Sequence, residues 1–87
     1  MKDILLKSEE PKTRAQVVAF LREIADKIEQ NKLVLKKGNN EIDLKIPNQL
    51  ELEIEVEKKT KKGKPPKMEL EIELEWYEGE ESQLELG

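Results

Sequence analysis

The stretch MELEIELEW, residues 68–76, alternates apolar and acidic side chains without a break, and LELEIEVE, residues 50–57, does nearly the same. In an extended strand successive side chains point to opposite faces, so a period of two sorts residues cleanly. Leu50, Leu52, Ile54 and Val56 then share one face of the first stretch. Met68, Leu70, Ile72, Leu74 and Trp76 share one face of the second. The opposite faces carry carboxylates alone: Glu51, Glu53, Glu55 and Glu57, and Glu69, Glu71, Glu73 and Glu75. A helical period would scatter both kinds around the axis, so both stretches are read as strands. Between them KKTKKGKPPK, residues 58–67, contains Gly63 and Pro65-Pro66. Neither proline can donate to a sheet ladder, which makes this a loop. If the two strands form a hairpin, Glu stands beside Glu, an unfavourable neighbour in a sheet.

Upstream, the period is different. Thr13-Arg14-Ala15-Gln16 fits a capping box, in which the Thr13 hydroxyl and the Gln16 side chain each satisfy the other's backbone N–H. The following AQVVAFLREIADKIEQ puts Val17, Phe20, Leu21, Ile24 and Ile28 on one stripe, widened by Val18 and Ala25. Pro11 favours an extended Glu10 and so delays the helix start. Asn31 is placed to leave the helix in a left-handed conformation. Period two then returns. Leu33 and Leu35 share a face, Lys37-Gly38-Asn39-Asn40 forms a turn with positive φ, and Ile42, Leu44 and Ile46 follow. Pro47-Asn48 makes a further turn. At the start, KDILLKS, residues 2–8, reads as a short first strand.

The helix has one apolar stripe and the strands one apolar face, and neither can bury itself. The expected fold is therefore α+β and two-layered. One N-terminal amphipathic helix packs on a mainly antiparallel sheet of about five strands, in the order β-α-β-β-β-β. The expected core is Val17, Phe20, Leu21, Ile24 and Ile28 from the helix, with Leu33, Leu35, Ile42 and Leu44 from the middle strands. Leu52, Ile54, Leu70, Ile72 and Leu74 complete it from the last two. Residues 1–78 form a single expected domain and 79–87 a flexible acidic tail, in which Leu84 and Leu86 alternate weakly. One helix covers about three strands, so some apolar sheet face is left for curling or for a second subunit.

Composition narrows the function. The 87 residues include no cysteine and no histidine, and the net charge is -4 with 41% charged residues. The commonest general base near neutral pH and the commonest metal ligand are missing, as is any thiolate chemistry. Eight glutamates in equivalent settings do not make the contrasting acid–base pair that carboxylate catalysis needs. A flat ladder of them is a poor cation cage beside the ordered loops that hold calcium. No enzyme activity, cofactor or specific metal site is expected. The acidic face is read as solvated and aggregation-resistant, with response to cations as an alternative.

Lys58, Lys59, Lys61, Lys62, Lys64 and Lys67 in the loop could meet phosphates. The loop has no arginine to read a base and no aromatic to stack on one, so weak nucleic-acid binding is the alternative reading. These lysines could equally meet glutamates of this chain or a neighbour. Trp76 closes the apolar register, as a core-rim residue or an interaction anchor, and Tyr77 falls on the acidic face. No membrane span and no secretory leader are read, which leaves the cytoplasm as the expected location.

The run KSEEPKTRAQVVAFLREIADKIEQNKLVL, then EIDLKIPNQLELEIEVEKK, then KMELEIELEW, resembles the amphi-Trp domain. This is a small prokaryotic family named for an amphipathic strand ending in tryptophan. The likeness spans roughly residues 5–77, and its most specific marks are the alternation into Trp76 and the segment FLREIADKIE. Relatives carry glycine after the helix where this chain has Asn31, a compatible cap. The family has no established activity, cofactor or catalytic residue, so the resemblance implies a fold, and a structural or interactive role for Trp76. The expected function is that of a small protein-interaction or self-associating module, with a homodimer in view.

Overall fold

The computed structural model describes residues 1–79. The expected acidic tail lies outside them, Gly79 apart, as do Leu84 and Leu86. The elements are α1 (Arg14–Glu29), β1 (Lys32–Lys37), β2 (Asn40–Lys45), β3 (Glu51–Lys59) and β4 (Lys67–Glu75). Among the described residues the fold is α+β, with one helix and two antiparallel strand pairs, β1 with β2 and β3 with β4. The chain divides into two compact units, Met1–Ile46 and Pro47–Gly87, taken one at a time below.

In the first unit, α1 starts where its cap chemistry dictates. The Gln16 backbone N–H donates to Thr13 Oγ1 at 3.1 Å, and the Thr13 N–H donates to Gln16 Oε1 at 2.9 Å. This reciprocal pair satisfies two donors that a helix start otherwise leaves unpaired. At the other end Asn31 has φ 68 and its N–H donates to the Ile28 carbonyl at 2.9 Å. The left-handed turn reverses the chain into β1, and the Asn31 carbonyl accepts the Ile46 N–H at 3.3 Å. Helix end and hairpin end are thus tied at one residue.

The β1–β2 hairpin turns at Gly38, with φ 59, and Asn39. Only the first central position has positive φ, the pattern of a turn that takes glycine first. The register sets Leu33 across from Leu44 and Leu35 across from Ile42, with Val34 against Asp43 on the other face. α1 packs on β1. Leu33 and Ile46 are buried, and Ile24, Ile28, Leu35, Ile42 and Leu44 are half-buried. Burial fades toward the helix start, where Val17, Phe20 and Leu21 are 42%, 55% and 48% exposed. The Asn31 reversal brings the last turns of α1 against β1, so those turns carry the contact.

In the second unit, β3 and β4 form a hairpin of nine-residue arms. Leu74 and Trp76 are half-buried, whereas Leu52, Ile54, Leu70 and Ile72, also expected in the core, are 55–66% exposed.

The expectation of one sheet of about five strands is corrected in two places. Residues 2–8 form no strand. Ile4 and Leu5 are exposed, and the segment is held instead by Lys37 Nζ donating to the Lys7 carbonyl at 2.9 Å. Three apolar residues between charged ends give a strand too little face to bury. Second, β2 and β3 belong to separate sheets despite the short link between them. That link, residues 46–50, contains Pro47 but no glycine and no positive φ, so it lacks the backbone that a tight hairpin requires.

Two substitutions check the helix ends. Thr13→Ala should cost about 1 kcal/mol in urea unfolding, while Thr13→Ser is tolerated. Asn31→Val should cost about 1–2 kcal/mol through the left-handed backbone, and Asn31→Gly should cost nothing.

Candidate functional site

The β3–β4 hairpin gathers most of the residues singled out in the sequence. Its register pairs Leu52 with Leu74, Ile54 with Ile72 and Val56 with Leu70 on one face. On the other it pairs Glu51 with Glu75, Glu53 with Glu73, Glu55 with Glu71 and Glu57 with Glu69. Extended one step, the register sets Trp76 across from Leu50, and both are half-buried. Tyr77 is 81% exposed.

The apolar face is open. Leu52, Ile54, Val56, Met68, Leu70 and Ile72 are each 55–66% exposed, and they are contiguous across the two strands. Scattered exposed aliphatics are ordinary on a protein surface. Here they form one contiguous block on a single sheet face rather than a scatter.

The acidic face is graded along its length. Next to the loop, Glu69 Oε1 lies 3.2 Å from Lys59 Nζ and 3.7 Å from Lys67 Nζ. The Lys59 ammonium, hydrogen-bonded to it, holds the Glu69 carboxyl below the ordinary range, and Glu69 in turn raises Lys59. At the opposite end Glu53, Glu73 and Glu75 can bring one oxygen each to within 4.8 Å of one another. The protonated Glu53 carboxyl donates a hydrogen bond to the Glu73 carboxylate, and this bond, then repulsion from the same group, holds Glu53 above its ordinary value. Repulsion from Glu73 does the same to Glu75. All three are exposed, and water and mobile ions screen much of this repulsion.

The loop, residues 60–66, joins the arms through a turn at Gly63, with φ 79, closed by the Lys64 N–H donating to the Lys61 carbonyl at 3.2 Å. Lys59, Lys61, Lys64, Pro65 and Lys67 line an open concavity of about 420 Å³. Lys58 lies across from Met68 on the apolar side, so the six lysines do not act as one patch. This division, and the concavity, could not be read from a run of lysines in sequence. Among the described residues no helix is long and apolar enough to cross a membrane.

The signs of these shifts set a pH dependence. Glu53 and Glu75 are raised on folding, so their contribution is present below the ordinary carboxylate value and is lost as pH rises through the folded one. Glu69 and Glu10, which is held low by Lys12, contribute above the ordinary value and lose it as pH falls through theirs. Thermal melting at fixed ionic strength should therefore peak in the acid range around the ordinary carboxylate value of 4.5. Glu53→Gln with Glu75→Gln should flatten the alkaline side. A melting point that falls steadily from neutral pH to that value would contradict the assignment.

No curated protein and no solved structure matches this chain. The family model described as the Amphi-Trp domain matches residues 1–86, nearly the whole sequence. The alternating strand that ends in Trp76 thus belongs to a recognised pattern, and the chain is a member of the Amphi-Trp domain family.

Proposed function

We propose that this chain is a non-catalytic interaction module that associates with a second copy of itself through the apolar face of β3–β4. The observation that carries the reading is the block of six aliphatic and methionine side chains left 55–66% exposed on one sheet face. A two-stranded hairpin is marginal in water without a covering layer. The sequence has no cysteine to staple it. Burying such a side chain fully is worth about 1.5–3 kcal/mol, and a two-fold contact covers the same six on each copy, so covering their exposed parts is worth roughly 11–22 kcal/mol as an upper bound. That is the order of the ~4–15 kcal/mol lost when two molecules become one particle. The sum supports moderate, concentration-dependent association.

A second copy supports the reading better than an unrelated partner. The face pairs aliphatic with aliphatic at three successive rungs, Leu52–Leu74, Ile54–Ile72 and Val56–Leu70, so a second copy offers it a surface of the same chemistry, as a two-fold interface does. The alternative, polyanion binding by the loop, is weaker because Lys59 and Lys67 are already paired with Glu69 and Lys58 turns to the apolar side. A response of the acidic face to cations remains a screening effect in this reading, since its carboxylates are exposed.

Sedimentation across a concentration series tests this. The chain should pass from monomer to dimer, and Ile54→Ser with Ile72→Ser should weaken the dimer by more than tenfold. Both positions are exposed in the single chain, so the variant should retain its circular dichroism. A particle that stays monomeric up to millimolar concentration would overturn the reading.

A further inference from the structure

The open apolar face is one unpartnered surface of the hairpin, and its strand edges are another. We propose that the outer edge of β4 pairs antiparallel with the β4 edge of a second copy, about a two-fold axis centred on Glu71. Among the described residues the sheet that holds β4 has only two strands, so β4 has one edge without a ladder partner. That edge is nine residues long, a row of backbone donors and acceptors that a further strand can take. Edge strands are commonly guarded by an internal lysine or proline. β4 has its lysine at the first position and no proline. Edge and face are different surfaces, so the two contacts together build a four-copy particle.

The strand KMELEIELE has nearly the same character read in either direction. Pairing about Glu71 sets Met68 against Leu74, Leu70 against Ile72 and Lys67 against Glu75 of the second copy, each twice. Directly opposed residues share a face, so Lys67 and the acids meet on one side of the widened sheet and the aliphatics on the other. A slip of the register by one residue would set aliphatics against acids. Moving the axis to Ile72 takes Lys67 out of the ladder, and moving it to Leu70 takes out Glu75. Glu71 alone keeps the whole arm and both charges paired. Acid still opposes acid where Glu69 meets Glu73 and where Glu71 meets its own copy. Against this stand a full backbone ladder, the aliphatic rungs and the two Lys67–Glu75 rungs. Both ends of that ionic rung can make it. Lys67 lies 3.7 Å from Glu69, which keeps Lys59 at 3.2 Å. Glu75 forms no ion pair among the described residues and is repelled by Glu73. The β3 edge serves less well, because the same operation about Glu55 sets Lys58 against Leu52 and breaks the aliphatic side.

Within one copy Lys67 and Glu75 stand at opposite ends of β4, about 26 Å apart at ~3.3 Å per residue. A zero-length cross-link between them therefore reports a second copy, and it should form in the unaltered protein. The chain has no cysteine, so single cysteines give an independent readout. On mild oxidation Glu71→Cys should form a disulfide-linked dimer about tenfold faster than Glu55→Cys. Both positions lie on the acidic side, away from the face-to-face contact, and only Glu71 meets its own copy at a separation a disulfide can span. Lys67→Glu should weaken the pairing about tenfold at low salt, since the lost contact is made twice, and adding Glu75→Lys should restore it. If the chain dimerises in an Ile54-dependent manner but neither the cross-link nor the Glu71 preference appears, the edge pairing falls and association through the apolar face stands. If both appear while Ile54→Ser leaves association unchanged, the edge pairing stands and the apolar-face reading falls. If disulfides form instead between Glu55→Cys and Glu71→Cys chains in a mixture, the strands pair head to tail and the two-fold edge is overturned. A particle that stays monomeric up to millimolar concentration overturns both.

Discussion

Setting Glu53 against Glu73 obliges Ile54 to stand against Ile72, and the rest of the β3–β4 hairpin follows from that one register. The repulsion of four acid rungs is accepted in exchange for three consecutive aliphatic rungs on the other face. In a sheet, an aligned like-charge pair costs a fraction of a kcal/mol to about one. Favourable cross-strand pairs contribute an amount of the same order, so the two faces of the hairpin work against each other. The same register collects unneutralised carboxylate at one end, because Lys59 and Lys67, at the loop ends of the two arms, pair with Glu69 alone.

The first unit rests on different physics. There the decisive residue is Asn31, whose left-handed backbone turns the chain and whose carbonyl takes the Ile46 N–H. Helix end, first strand and last residue of the unit meet at that point. The two most buried side chains, Leu33 and Ile46, lie close to it in sequence and in hydrogen bonding. Burial is local to the reversal, which is why Ile24 and Ile28 are better covered than Phe20.

Local chemistry made much of this legible in the residues themselves. The capping box, the left-handed Asn31, the Gly38 turn and the alternation into Trp76 are each decided by neighbours within a few positions, and each forms as the sequence dictates. What sequence could not supply was long-range. Period two says which side chains share a face, but it does not say which sheet a strand joins: residues 2–8 join none, and β2 and β3 lie in separate sheets. Nor does it say what covers a face. The expected core positions of β3 and β4 sit on the right side of their strands and are nevertheless open to water. Likewise, six neighbouring lysines read as one basic run, and only the hairpin geometry separates Lys58 from the lysines of the concavity.

The loop has a task that the stem cannot perform. Because both arms repeat a two-residue unit, sliding one past the other by two positions would still match aliphatic with aliphatic and acid with acid. The stem pattern is therefore silent about its own alignment. The turn at Gly63, the stiff Pro65-Pro66 pair and the two lysines gripping Glu69 act as the indexing mark. It follows that such a hairpin has a natural quantum of length. One dipeptide added to or removed from both arms changes its reach by about 7 Å and leaves the character of each surface unaltered.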